Sequence, residues 1–216
     1  CCVVWLLAGP PVLLASARSS AHIRGAAGVD VFPDELPPGA TRKLYLDRRG
    51  TLSAACFKEK GFLPSRLSPA PRSRDVWIDA ALAGSFPAAL ARWRALRPRA
   101  PKLAARPGRV DAPAFAADGR NTVSFRELAP FTKDTALAVN LIVDEKIAAI
   151  LEFDVALNAA LPWDVLQSTA VPGSISARDA VAHALGHVFG LEHADEPQAC
   201  EKPEPAAAPG SQGKNH

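Results

Sequence analysis

The chain has 216 residues, of which 48% are hydrophobic and 22% charged, and a formal charge of +3. That length is enough for one domain with a sizeable core, and the balance is ordinary for a globular protein. With so small a charge and scattered arginines (Arg48, Arg49, Arg72, Arg74, Arg92, Arg94, Arg97, Arg99), the basic residues read as a solvated face, and nucleic acid is excluded as a partner.

The opening stretch, CCVVWLLAGPPVLLASA, is an apolar run ending in small residues, the pattern of a secretory signal peptide. Gly9, Pro10 and Pro11 break it too early for a stable membrane span. Small-x-small cleavage points fall after Ala17 and after Ala21, so residues 1–21 are expected to be a leader and the protein to be secreted or in the cell envelope. An N-terminal core helix is the alternative. No basic segment precedes the run and the chain has no methionine, so the recorded start reads as truncated. Without the leader, Cys56 and Cys200 remain, either as one disulfide or as two thiols.

Residues 22–200 are expected to form the domain, and residues 201–216 a disordered tail of low complexity. Within the Pro- and Gly-rich segment 22–70, RKLYLD (Arg42–Asp47) reads as a short strand. SRLSPAPRSRD reads as a loop. Asp75 is placed to cap a helix over VWIDAALAGSFPAALARWRAL, where Ile78, Leu82, Phe86, Leu90 and Trp93 recur every three or four residues. Pro87 inside that pattern predicts a kink or two shorter helices. RPRAPKLAARPGRVDAP reads as a second loop.

Three strands are expected next. Asn121–Leu128 alternates through Val123 and Phe125. Thr135–Asp144 is nearly continuous in apolar residues, as in a strand buried on both faces. Ile150–Asn158 puts Leu151, Phe153, Val155 and Leu157 on one face and Glu152 and Asp154 on the other. The last two strands are close enough to be a hairpin. A loop, AALPWDVLQSTAVPGS, then leads to a final helix that Ser176 or Asp179 can start.

That helix carries AHALGHVFGLEH, Ala182 to His193. Residues four apart share a helix face, so His183 and His187 can aim two imidazoles at one point. Gly190 is suited to a left-handed helix stop, after which the chain can bring His193 to the same point. Three imidazoles leave a fourth position open, the layout of a catalytic zinc (Zn2+) site.

HALGHVFGLEH resembles the metzincin zinc-protease signature H-E-x-x-H-x-x-G-x-x-H at every fixed position except the glutamate. It is most similar to matrixin-like bacterial metalloproteases. The resemblance implies an α+β fold, with a twisted mixed sheet packed with an early helix and an active-site helix. It implies zinc held by His183, His187 and His193, and a peptide or protein substrate along the edge strand of the sheet. The implied activity is that of a metalloendopeptidase, hydrolysing peptide bonds by zinc-bound water.

Two departures bear on that activity. Ala184 stands where the family keeps its general base, and a methyl group cannot move a proton. Such groups contribute roughly 10²–10⁴-fold, so hydrolysis is expected to be impaired or absent. Glu192 is the tempting substitute, with Glu196 and Asp195 behind it, but Glu192 reads better as a solvated or supporting position. The family's methionine turn is also missing, so either another residue builds it or the C-terminal subdomain is incomplete. Three readings follow: a silenced protease, a decayed gene, or a non-catalytic zinc-containing pseudoprotease that binds peptide or protein.

Overall fold

A hairpin forms the middle of the sheet, and everything else is placed by how it packs on that hairpin. In this computed structural model, the residues described are 32, 35–49, 52, 66–67, 74–98, 100–111, 115–128, 131, 134–166, 172–191 and 193. In chain order the elements are β1 (Ala40–Arg48), β2 (Arg66–Leu67), β3 (Asp75–Asp79), α1 (Ser85–Leu96), β4 (Ala104–Gly108), β5 (Asn121–Arg126), β6 (Thr135–Asp144), β7 (Ala149–Asn158), β8 (Trp163–Asp164), β9 (Ile175–Ser176) and α2 (Ala177–Val188). The fold is α+β, as expected. The main sheet runs β1-β6-β7-β5-β3-β4, with β2 paired to the start of β7. It is mixed: β3, β4, β5 and β7 run parallel, while β6 is antiparallel to both β7 and β1.

The β6–β7 hairpin matches the two apolar runs. β6 is buried along its whole length up to Asp144, which is why it reads as a continuous apolar run rather than an alternation. On one face, Leu137, Val139, Leu141, Phe153, Val155 and Leu157 join the main core with the helices. On the other, Ala138 and Ala156 meet a smaller cluster of Phe32, Phe115 and Leu128.

Two details differ from the expected alternation. A bulge between Ile142 and Val143 shifts the register, so Ile150 fills the core position and Leu151 is only half-buried. Glu152 and Asp154 do lie on the opposite face, but they are buried. Glu152 accepts from the backbone N–H groups of Asp118 (3.2 Å) and Gly119 (2.7 Å), and the Thr122 hydroxyl donates to Asp154 (2.5 Å).

The helix expected from Asp75 is a correction. Asp75–Asp79 is β3, paired in parallel with β4 and β5, and Asp75 is ion-paired to Arg106 at 3.3 Å rather than capping. Val76 and Ile78 are buried at a period of two, which helical spacing from Ile78 onward masked. A single 3-10 turn over Ala80–Leu82 follows, capped by the Asp79 carboxylate. The α-helix begins only at Ser85. Pro87 falls in its first turn, where a backbone N–H has no helical partner, so it neither kinks nor breaks α1. The three expected loops also contain strands: β2 in the first, in the second the edge strand β4, which tolerates Pro107, and in the third β8, paired with β9.

α2 starts as one of the two expected ways. Ser176 is the N-cap, its hydroxyl accepting from the Asp179 N–H at 3.2 Å. α1 and α2 pack on the sheet's core face, locked by Trp93, whose Nε1 donates to the Ala182 carbonyl at 2.6 Å. No helix among the described residues is long and apolar enough to cross a membrane. The expected leader, all four cysteines and the expected tail lie outside the described residues.

Candidate metal centre

α2 carries His183 and His187 one turn apart, both fully buried under the sheet. The helix ends where Gly190 was expected to stop it, with φ at 81°. The Gly190 N–H donates to the His187 carbonyl at 2.8 Å, and the Leu191 N–H donates to the Gly186 carbonyl at 3.0 Å. This double closure is a Schellman motif, and it requires the left-handed residue that glycine supplies without strain. The reversed chain then brings His193 back to the helix. Its Nε2 lies 3.0 Å from that of His183 and 3.1 Å from that of His187. All three histidines read from the spacing therefore meet at one point.

The surroundings fix the rings. Nδ1 of His187 is 2.9 Å from the Leu191 carbonyl, so the proton belongs on Nδ1 and the Nε2 lone pair faces the cluster. Tyr45 of β1 stacks on the same ring, 4.0 Å between centroids and 17° between planes. Burial pushes the His187 pKa down against the pull of Asp47, favouring the neutral form that binds metals.

The fourth member was not read from the sequence. Asp47, at the end of β1, is buried, with Oδ2 3.4 Å from His183 Nε2 and 3.5 Å from His187 Nε2. Its Oδ1 is 3.0 Å from His193 Nε2. Apart from these three ring nitrogens, neither oxygen has a polar partner. Burial alone would raise the Asp47 pKa, but the three imidazoles outweigh it and hold the carboxyl well below the usual carboxylate range.

This donor set fits a metal ion. Three facing Nε2 atoms cannot all donate to one another, and a buried carboxylate that meets only imidazole nitrogens is left uncompensated unless one of them is protonated. A cation at their centre satisfies all four groups. Donors about 2.0–2.1 Å from one zinc stand about 3.3 Å apart at the corners of a tetrahedron. The Nε2 and carboxylate contacts here run from 3.0 to 3.5 Å. The ligand atoms of Asp47, His183, His187 and His193 all lie within 4.8 Å of one another, so the group can hold a metal ion.

Ala184 is fully buried, packed in the main core beside His183. No carboxylate other than Asp47 belongs to the metal-ligand group found among the described residues. Glu192, Asp195 and Glu196 lie outside the described residues, as does everything after His193, where another residue could build the turn that the family makes with methionine. Comparison with family models, with curated proteins and with solved structures finds no match to this chain.

Proposed function

We propose that this chain is a zinc-dependent metalloendopeptidase-type domain of metzincin kind, impaired as written by Ala184. The observation that carries the reading is the convergence of His183, His187 and His193 Nε2 atoms across a helix and a glycine-stopped return. The packing of α2 beneath β6 and β7 supports it, while the β6 edge of the sheet is already paired with β1. A zinc ion held by these residues supplies Lewis-acid polarisation of a carbonyl. The three imidazoles hold the ion, and the Tyr45 ring and the Leu191 carbonyl orient His187. The methyl of Ala184 holds no proton and moves none, so the hydrolytic step lacks its base. Export from the cell belongs to the same reading, on the character of residues 1–21.

A second reading has its own support. Ala184 is packed among apolar side chains, and an acid already stands against the histidines, which suits a non-catalytic zinc-containing pseudoprotease that binds peptide or protein.

Two measurements test the proposal. Metal analysis of the purified chain is expected to give about one zinc per molecule, lost in His183→Ala and His187→Ala. A chain that takes up no zinc ends both readings. Peptide hydrolysis is then compared between the chain as written and the double variant Ala184→Glu with Asp47→Ala. Turnover in the variant alone supports a silenced protease, whereas zinc without turnover in either supports the binding module.

A further inference from the structure

We propose that Asp47 is the fourth ligand of the zinc, so that the centre is closed and the metal staples β1 onto the edge of the sheet. The inference rests on zinc being held at the three histidines. It goes beyond that reading in naming the ligand that fills the open position and what the filling does.

β1 is unlike the strand it pairs with. It lies at the end of the sheet order and is registered against β6 along its whole length, from Ala40 opposite Asp144 to Arg48 opposite Thr135. β6 buries every side chain but its last, whereas the side chains of β1 are half-buried or exposed with one exception, Asp47. A strand held by packing buries apolar groups. This one buries an acid whose oxygens face only the three imidazole Nε2 atoms. Without a cation, that buried charge is balanced only by protonating one of the three imidazoles. With one, the same residue becomes the anchor.

The neighbours agree. Tyr45, two residues earlier and therefore on the same face of β1, stacks on the ligand His187. Arg49, just past the strand, donates from Nη2 to the Gly173 carbonyl ahead of α2. Both contacts fix the strand end that delivers Asp47. Ala184 removes the reason to keep a position open, because an open position serves hydrolysis only beside a base. Four protein ligands make a structural centre, and the strand that supplies the fourth also covers the β6 edge where a peptide would lie.

The test uses the full chain loaded with cobalt(II) in place of zinc and titrated with azide. The chain as written is expected to give a four-coordinate visible spectrum that azide does not change. Asp47→Ala is expected to give a shifted, azide-sensitive spectrum and zinc affinity weaker by about tenfold or more. Hydrogen exchange adds a readout on the unsubstituted chain: the amides of residues 40–48 are expected to exchange about tenfold faster or more after zinc is removed. An azide response in the chain as written, or exchange in β1 that ignores the metal, overturns the inference while leaving the three-histidine site in place. Those two measurements decide it even where Asp47→Ala does not fold. A chain that takes up neither cobalt nor zinc overturns the three-histidine reading itself.

Discussion

Tyr45 lies flat against His187, joining the edge strand β1 to the helix that carries two of the histidines. The contact is between ring faces 4.0 Å apart, so it both shields the imidazole and restricts its rotation. Tyr45→Ala is therefore expected to lower the stability of the zinc-loaded chain by about 1–3 kcal/mol and to weaken zinc binding, with stoichiometry retained. Denaturant unfolding with and without zinc checks it. An equal loss in the two states would mean that the ring packs without orienting the ligand.

Gly190 makes a sharper prediction, because its backbone conformation is one that an L side chain resists. Gly190→Ala is expected to cost about 1–2 kcal/mol and to displace the return that carries His193. Zinc affinity should fall more than it does in an alanine substitution on the exposed face of α1, such as Arg94→Ala. Competition with a chelator of known affinity measures both. Unchanged affinity would show that the return is held by contacts other than the Schellman closure.

Trp93 ties the early helix to the metal-site helix through one buried hydrogen bond to the Ala182 carbonyl, and its ring meets Phe189 edge-on at 5.7 Å. Trp93→Phe keeps an aromatic ring but loses the donor. The expected cost is about 1–3 kcal/mol in stability, with zinc stoichiometry unchanged. A melting curve and metal analysis on one sample decide it. Loss of metal instead would mean that α1 sets the histidine geometry directly.

The elements around the centre differ in how far the sequence alone reveals them. The histidines and Gly190 were legible because helical period and the left-handed stop are local properties. The β6–β7 hairpin was legible because its apolar runs are long. Asp47 was not, since a lone acid at the end of a short strand carries no local sign that the sheet will bring it to His183. β3 was misread because Val76 and Ile78 fit a period of two as well as the start of the helical pattern. β4 was missed because an edge strand with Ala105 half-buried and Pro107 near its end lacks an apolar alternation. Glu152 and Asp154 had the right face, but a second cluster around Phe115 covers it, and no period announces a cover supplied by a distant segment.

That covered face yields the last prediction. Burial raises Glu152 to about 7, against the two backbone N–H groups it accepts from, and raises Asp154 to about 8, against the Thr122 hydroxyl. In the unfolded chain both carboxyls lose their protons near about pH 4. Between about pH 4 and 8 the folded state therefore holds protons that the unfolded state has released, and this pair's contribution to stability falls as pH rises. Above about pH 8 both states are deprotonated and the fall levels off. Asp154→Asn keeps an oxygen for Thr122 and cannot ionise. Relative to the unsubstituted chain it is expected to gain stability on going from about pH 5 to about pH 8, by an amount on the order of a few kcal/mol at most. Comparing the two chains at each pH cancels the titration of the histidine cluster, which both share. Zinc-saturated denaturant curves at both pH values measure the difference, and a gap that does not widen toward about pH 8 would show that Asp154 is already ionised at the lower pH.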